Sequence, residues 1–201
     1  MELINRSANM RAFIGFDFSK QFKDHLTNIQ GVLKQNAEKG TWVSPSNFHL
    51  TLKFLGEIDD SQTNSIDKVL KQLSLSNFPI TVRLKSLGYF NKKDDEYRVL
   101  WLGLDGQMNE INKIYKELEQ SMYHLGFDKE ERKFNPHITL GRRIITDIDF
   151  NILRELVKPY LGKEFILDNL VLMKSEIIMG KRVYTPIKSY KLNDNIEDNH
   201  R

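Results

Sequence analysis

The chain has 201 residues, of which 40% are hydrophobic and 28% charged, and this length and composition favour one compact domain or two small, closely packed lobes. No apolar run approaches the roughly 18 residues of a transmembrane helix, and the N-terminal residues lack a signal-peptide core, so a cytoplasmic location without membrane contact is expected. The absence of cysteine removes disulfides and thiolate nucleophiles, and a net charge of only +3 suits a small anionic ligand or an RNA end better than a long duplex.

Apolar periodicity predicts alternating strands and helices in the first half of the chain. In chain order the predicted elements are a strand at 12–18, a helix at 19–38, a turn at 41–45, a strand at 48–55 that Gly56 ends, a helix at 60–73, and strands at 80–89 and 97–104 joined by the turn NKKDDE. The helices are amphipathic and the strands are mostly apolar, as expected for helices that pack on sheets.

The second half of the chain repeats this theme. The predicted elements are a helix at 107–125 with Gly126 as its C-cap, a strand at 137–143, a helix at 150–159, and strands at 165–174 and 183–191. We therefore expect one α+β domain over residues 10–192, with an N-terminal extension at 1–9 and a polar C-terminal tail at 193–201.

A tetrapeptide occurs once in each half, at a comparable place: His49-Leu50-Thr51-Leu52 and His137-Ile138-Thr139-Leu140. Side chains alternate between the two faces of a strand, so each histidine shares a face with its threonine and the aliphatic pair lies on the other face. Two such strands facing one cleft would supply two titratable imidazoles and two hydroxyl donors. This combination suits acid–base chemistry on a phosphate.

The two motifs and their flanking residues resemble one known superfamily. The stretches TWVSPSNFHLTLKFLGEI and FNPHITLGRR are similar to the 2H phosphoesterases, and most of all to the bacterial and archaeal RNA 2′,3′-cyclic phosphodiesterases, first described as 2′–5′ RNA ligases. The segments RAFIGFDF, RVLWLGL, LEQSMYHLGF and SEIIMGKRVYTPIKSYKL also resemble family segments. One copy of the motif alone would be weak evidence, whereas two copies in these flanks are specific.

This resemblance implies a bilobal, pseudo-symmetric α+β fold in which two largely antiparallel sheets line a central cleft, with the helices outside. It also implies hydrolysis of an RNA 2′,3′-cyclic phosphate end to a 2′-phosphomonoester without metal or other cofactor. Carried over by position, His49 and His137 are the catalytic pair, with His137 as base and His49 as acid, and Thr51 and Thr139 contact the phosphate. The residues themselves do not distinguish the roles of the two histidines.

The resemblance also places a phosphate-binding arginine at Arg142. Strand alternation, in contrast, puts Arg143 on the face of His137. Arg142 can reach that face only if a bend or bulge follows Leu140, and Gly141 could supply it. We therefore expect Arg142 to be the third phosphate contact, with Arg143 as the alternative.

Several other residues have a possible role in the cleft or a simpler structural one. By alternation Lys53 shares the face of His49 and could touch phosphate, although a solvated lysine is the simpler interpretation. Stacking on the terminal base is possible for aromatic residues such as Phe16, Phe48 or Tyr184. Surface or packing roles are expected for the histidines without a motif, which are His25, His124 and His200.

Other chemistries and functions are distinguishable in principle. The chain lacks a three-ligand zinc set, a His-Glu-x-x-His motif and a Walker loop, so neither metal nor nucleoside-triphosphate chemistry is expected. A 2H enzyme for 2′–5′ linked or small cyclic nucleotide phosphodiesters, or one that joins RNA ends by the reverse reaction, would use the same residues. A non-catalytic RNA-end binding module would bind without turnover. A monomer is expected in each case.

Overall fold

Strands and helices alternate along the chain in the computed structural model, which describes residues 9–193. The strands are β1 (Met10–Asp17), β2 (Lys39–Trp42), β3 (His49–Ile58), β4 (Ile80–Lys93), β5 (Glu96–Gly106), β6 (His137–Ile145), β7 (Glu164–Leu167), β8 (Asn169–Ile178) and β9 (Lys181–Lys191). The helices are α1 (Lys20–Gln35), α2 (Asp60–Ser76), α3 (Met108–His124) and α4 (Phe150–Val157), with 3₁₀ turns at Pro45–Asn47 and Lys158–Tyr160.

The strands form two antiparallel sheets, each of which carries one motif. Sheet A has the order β3-β1-β8-β9, and sheet B has the order β2-β6-β5-β4-β7. The first motif opens β3 and the second opens β6. The expected α+β class with two antiparallel sheets is confirmed. The predicted extension at 1–9 and tail at 193–201, including His200, lie almost entirely outside the described residues.

Local capping explains where the helices begin and end. Ser19 Oγ accepts a hydrogen bond from the backbone N–H of Phe22 at the start of α1, and Asp59 and Gln62 form a capping box at the start of α2. Gly126 follows α3 with φ of +89°, a left-handed conformation that glycine adopts without the Cβ clash of other residues. The predicted helices are therefore confirmed, with ends shifted by a few residues.

One hydrophobic core runs between the helices and one face of each sheet. It includes the apolar stripes of the helices and the aliphatic residues of both motifs, among them Phe22, Leu26, Ile111, Leu118, Leu50, Leu52, Ile138 and Leu140. A second, small cluster of Phe13, Val171 and Met173, with Tyr184 packed against it, lies apart from this core. The aliphatic motif residues thus anchor each motif strand in the core, and the histidines and threonines face away from it.

Two elements differ from the sequence prediction, because pairing with strands that are distant in the sequence determines where these elements begin and end. The predicted strand at 165–174 is two strands in different sheets: β7 pairs with β4, and β8 pairs with β1. Its continuous apolar run does not reveal that the chain crosses between sheets at Asp168. The predicted turn at 41–45 overlaps an edge strand, β2, whose mostly exposed residues carry no apolar alternation and which pairs with β6.

The other strands are longer than predicted. Strand β3 continues through Gly56, which has φ of +76°, to Ile58, so Gly56 does not end it. The β4–β5 hairpin closes at a tight turn of Asp94 and Asp95, so most of the charged NKKDDE segment belongs to the strands. Glycine and charge are turn signals, but pairing with a neighbouring strand overrides them here.

Candidate active site

The ring of His49 is held from both nitrogens at the beginning of β3. Its Nδ1 lies 2.7 Å from the backbone oxygen of Asn47, and its Nε2 lies 2.9 Å from Oγ1 of Thr51. A carbonyl oxygen only accepts, so the hydrogen-bond network places the proton of the neutral ring on Nδ1. The ring packs 4.6 Å from the ring of Phe13 and 5.0 Å from that of Tyr184. Nε2 is therefore the atom that exchanges protons.

His137 is held in the same way at the beginning of β6. Its Nδ1 lies 2.7 Å from the backbone oxygen of Asn135, again two residues earlier in the chain. Its ring is perpendicular to the ring of Phe90 at a centroid distance of 4.9 Å, and the ring of Trp101 lies 6.1 Å away. Both motif histidines thus have a carbonyl bound to Nδ1, aromatic neighbours and Nε2 as the titrating atom.

The structure brings the two motifs together. Strands β3 and β6 contact each other although they belong to different sheets, and the charge of His137 contributes to the pKa of His49. Thr51 pairs with Gly15 in sheet A, and Thr139 pairs with Trp101 in sheet B. We call the face of each sheet that carries its histidine and threonine the motif face, and the space between the two motif faces the cleft.

Burial favours the neutral form of both motif histidines. It lowers the pKa of His49 from 6.5 to about 4, against the opposing effects of the Asn47 hydrogen bond and the charge of Asp17. Burial also lowers the pKa of His137, and the nearby charge of Arg142 lowers it further. In the free protein at neutral pH both Nε2 atoms are therefore unprotonated and can accept a proton.

A bulge in β6 determines where the two arginines lie. Leu100 pairs with Gly141 and the next residue, Trp101, pairs with Thr139, so Leu140 is an extra residue in β6. The bulge shifts the alternation by one position and turns Arg142 to the motif face, where its charge acts on His137. The next residue, Arg143, has φ of +51°, which lies in the left-handed region that residues other than glycine rarely adopt.

A bulge at the same place in the first motif corrects the interpretation of Lys53. Ile14 pairs with Lys53 and Gly15 pairs with Thr51, so Leu52 is an extra residue in β3. Lys53 therefore lies on the core face, where its side chain is only 4% exposed and Nζ lies 2.8 Å from Glu119 Oε1. The expectation that Lys53 shares the face of His49 was wrong, and so was that of a solvated lysine.

The three aromatic residues considered for base stacking lie in two different environments. Phe16 and Phe48 are fully buried in the core and present no ring face to a ligand. Tyr184 lies on the motif face, against His49. Of the other histidines, His25 contacts the backbone oxygen of Tyr160 from α1, and His124 is exposed at the end of α3.

Sequence reasoning missed the two asparagines that hold the histidines. The backbone oxygens of Asn47 and Asn135 bind the two Nδ1 atoms. The side chain of Asn47 also donates to the backbone oxygen of Arg182 and accepts from the N–H of Tyr184, which ties β9 to the beginning of β3. The signal was present, because each motif is preceded by asparagine two residues before its histidine.

Residues 9–193 contain neither a candidate metal site nor a candidate membrane span. No group of three or more His, Cys, Asp or Glu side chains in this part of the chain could hold a metal ion. No helix within the same residues has both the length and the apolar character needed to cross a membrane.

Comparison with known proteins gives a family match to most of the chain. The family model described as LigT-like phosphoesterase matches residues 16–101 and 102–177, so each matched segment contains one motif. An RNA 2′,3′-cyclic phosphodiesterase from Thermotoga maritima is 39% identical over 152 residues, covering 70% of this chain and 79% of that protein. One from Aquifex aeolicus is 32% identical over 187 residues, covering 91% of this chain and 97% of that protein.

Solved structures with the same fold are also found. The crystal structure of Escherichia coli LigT complexed with 3′-AMP has a TM-score of 0.75 at 22% identity and covers 92% of this chain and 99% of that one. The protein TT0787 of Thermus thermophilus has a TM-score of 0.75 at 22% identity, covering 91% of this chain and 98% of that one. At this identity the structures establish the shared fold.

Proposed function

The chain belongs to the LigT-like phosphoesterase family of the 2H superfamily, and we propose that it hydrolyses RNA 2′,3′-cyclic phosphate ends to 2′-phosphomonoesters. It is a hydrolase of the cyclic phosphodiesterase type. The observation that carries the proposed mechanism is the matched pair of imidazoles, each held at Nδ1 and each with Nε2 as its titrating atom.

In the proposed reaction each imidazole moves one proton. His137 Nε2 takes a proton from a water molecule as the water oxygen bonds to phosphorus. The bond from phosphorus to the ribose 3′ oxygen breaks, and His49 Nε2–H gives that oxygen a proton, which leaves a 2′-phosphate. Thr51, Thr139 and Arg142 donate hydrogen bonds to the non-bridging oxygens, where negative charge increases in the transition state.

The charged neighbours of the two rings support this assignment of acid and base. Asp17 pairs with His49 across β1 and β3, and its charge favours protonated His49, whereas the charges of His137 and Lys23 disfavour it. Arg142 disfavours protonated His137. Burial lowers the pKa of His49 in the free protein, but the anionic substrate would bring negative charge to both rings and raise their pKa values.

The pH dependence of kcat/KM should reflect these low pKa values. The ratio kcat/KM reports the free enzyme, in which the pKa of both histidines is below 6.5, so its optimum should lie below pH 6.5. The kcat profile should be bell-shaped around neutrality, because bound phosphate raises both pKa values. Initial rates across about pH 4 to 9 test this, and a flat profile of either constant would contradict the two-histidine mechanism.

The acid side of that profile needs a check on folding. Unfolded histidine takes up a proton near pH 6.5, whereas folded His49 does so only near pH 4. Stability is therefore lost as the pH falls through this window, since protons bind the unfolded state first. Circular dichroism at each pH separates loss of folded protein from loss of turnover.

The experiment that tests the proposed function is turnover of a short RNA ending in a 2′,3′-cyclic phosphate, with EDTA present. We expect metal-independent formation of a 2′-phosphate, because the two imidazoles supply the base and the acid. A 3′-phosphate product, or a requirement for added divalent metal, would contradict the mechanism.

The same assay separates the remaining alternatives. Preference for a 2′–5′ linked or small cyclic nucleotide would change the substrate but retain the site, and binding without turnover would indicate an RNA-end binding module. Joining of RNA ends would be seen as a 2′–5′ linked product.

The cytoplasmic location, the monomeric state and the boundaries of a single domain at 10–192 stay predictions.

A further inference from the structure

Arg182 is an exposed basic residue on the motif face of sheet A, in strand β9. Tyr184 lies on this face against His49, and alternation puts Arg182, two residues earlier on a regular stretch of β9, on the same face. Arg182 Nη1 donates to Ser175 Oγ at 3.1 Å, and Ser175 pairs with Tyr184 across β8 and β9, which agrees with this placement. Arg182 therefore lies about 7 Å along the strand from the tyrosine that contacts a proposed catalytic histidine.

The backbone that carries Arg182 is fixed to the first motif strand. The side chain of Asn47 donates to the backbone oxygen of Arg182 at 2.7 Å and accepts from the N–H of Tyr184 at 3.2 Å. The backbone oxygen of the same asparagine binds Nδ1 of His49. One residue thus positions both the histidine and the strand of Arg182, so the base of the arginine side chain has a set place relative to the cleft.

The guanidinium of Arg182 has donors available for a ligand. A guanidinium carries five N–H donors, and among the described residues only Ser175 Oγ accepts from this one. The nearest acidic residue in the β8–β9 hairpin, Glu176, pairs with Lys174 at 2.7 Å and lies on the opposite face of the sheet, because its strand partner is Val183. A fixed backbone and unused donors suit recognition of a phosphate.

We propose that Arg182 binds the phosphate on the 5′ side of the nucleotide whose 2′,3′-cyclic phosphate is hydrolysed. The proposal rests on the proposed function, because it takes the reacting phosphate to lie between His49 and His137. In an RNA chain the 5′ phosphate of the terminal nucleotide is the next phosphate after the reacting one, and Arg182 is next to the tyrosine that contacts His49. Arg142 and Arg182 would then hold successive phosphates from opposite walls of the cleft. Such a subsite favours an RNA end over a nucleoside cyclic phosphate.

The test uses two substrates that differ by one phosphate: cytidine 2′,3′-cyclic phosphate with and without a 5′-phosphate. In the wild type the 5′-phosphate should lower KM by about five- to tenfold at low salt, and Arg182→Ala should abolish this gain, because the charge-assisted hydrogen bonds are lost. Without the 5′-phosphate, the variant should stay within about twofold of the wild type. With a short RNA, the slope of log kcat/KM against log salt concentration should become shallower by about 1.

Lys181→Ala is the matched control for Arg182→Ala. Lys181 is the neighbouring residue, has the same charge and is also exposed, but it pairs with Ile178 and lies on the opposite face of the sheet. This variant should keep the full gain from the 5′-phosphate. Arg182→Lys should keep part of it, because the charge remains while the fork of donors is lost.

Each other outcome overturns the proposal. If the 5′-phosphate does not lower KM in the wild type, no phosphate binds there. An equal loss on both substrates would mean that Arg182 acts on the reacting end or on folding, and an equal loss in Lys181→Ala would assign the effect to the charge of the hairpin as a whole.

If the wild type turns over neither substrate, the proposed function fails by itself. Calorimetric binding of cytidine 2′,5′-bisphosphate and of cytidine 2′-phosphate still decides the role of Arg182. The wild type should bind the bisphosphate more tightly than Arg182→Ala does, and equal affinities would overturn the proposal.

Discussion

Replacing either motif histidine by alanine is expected to lower kcat by about 10²- to 10⁴-fold, since each replacement removes one of the two proton transfers. This corresponds to about 3 to 5 kcal/mol of activation free energy. The double variant of His49 and His137 should be little slower than the slower single variant, because the two rings act as a unit. The measurement is single-turnover cleavage of RNA with a cyclic phosphate end.

The matched control is His124→Ala, which removes an exposed imidazole at the end of α3. Its rate should equal that of the wild type. Thermal unfolding of all variants shows whether they are folded, which matters most for His49 because its ring packs on Phe13 and Tyr184. A folded His137→Ala variant within about threefold of the wild-type rate would refute His137 as the base, given the contribution expected of a general base.

Lys53→Met is expected to destabilise the fold by about 3 to 5 kcal/mol, because it leaves the carboxylate of Glu119 buried without its cation. The side chains of Lys53 and Glu119 are only 4% and 13% exposed, and Lys53 Nζ also donates to the backbone oxygen of Asp128. Glu119 in turn accepts from the N–H of Glu130. Urea unfolding of the wild type and the variant measures the change in free energy of unfolding.

The matched control is Lys158→Met, which breaks an ion pair with Glu155 whose two side chains are 68% exposed. This change should cost less than about 1 kcal/mol because solvent screens the pair. Adding Glu119→Leu to Lys53→Met should recover part of the loss, since the uncompensated charge is removed. Equal effects of Lys53→Met and Lys158→Met would show that burial does not strengthen the Lys53 pair.

The Lys53 contacts join parts of the chain that carry different motifs. Lys53 belongs to β3, which begins with His49, whereas Asp128 and Glu130 lie in the segment that leads to His137. Glu119, in α3, accepts hydrogen bonds from both Lys53 Nζ and the backbone N–H of Glu130. The network therefore helps to hold the two motif strands in contact, and its loss acts on more than one lobe of the fold.

The sequence predicted the fold class because apolar periodicity and the two motifs are local signals. Alternation correctly places His49 with Thr51 and His137 with Thr139, as each pair lies on one regular stretch of strand. It fails beyond Thr51 because one extra residue reverses the faces, and nothing in the letters of HLTLKF marks that insertion. The division of 165–174 between two sheets and the buried pair of Lys53 with Glu119 depend on distant parts of the chain, which periodicity does not report.

The paired bulges at Leu52 and Leu140 also mean that the number of residues in each motif strand determines which side chains face the cleft. Each bulge shifts the alternation of side chains in its strand by one residue. The face on which every later side chain lies therefore depends on a residue that has no pairing partner of its own. Removing that single residue would exchange inside and outside for the rest of the strand, bringing Phe54 into the core and Lys53 to the surface of the cleft. Substitutions at Leu52 alter one side chain, whereas a deletion there alters the sidedness of many.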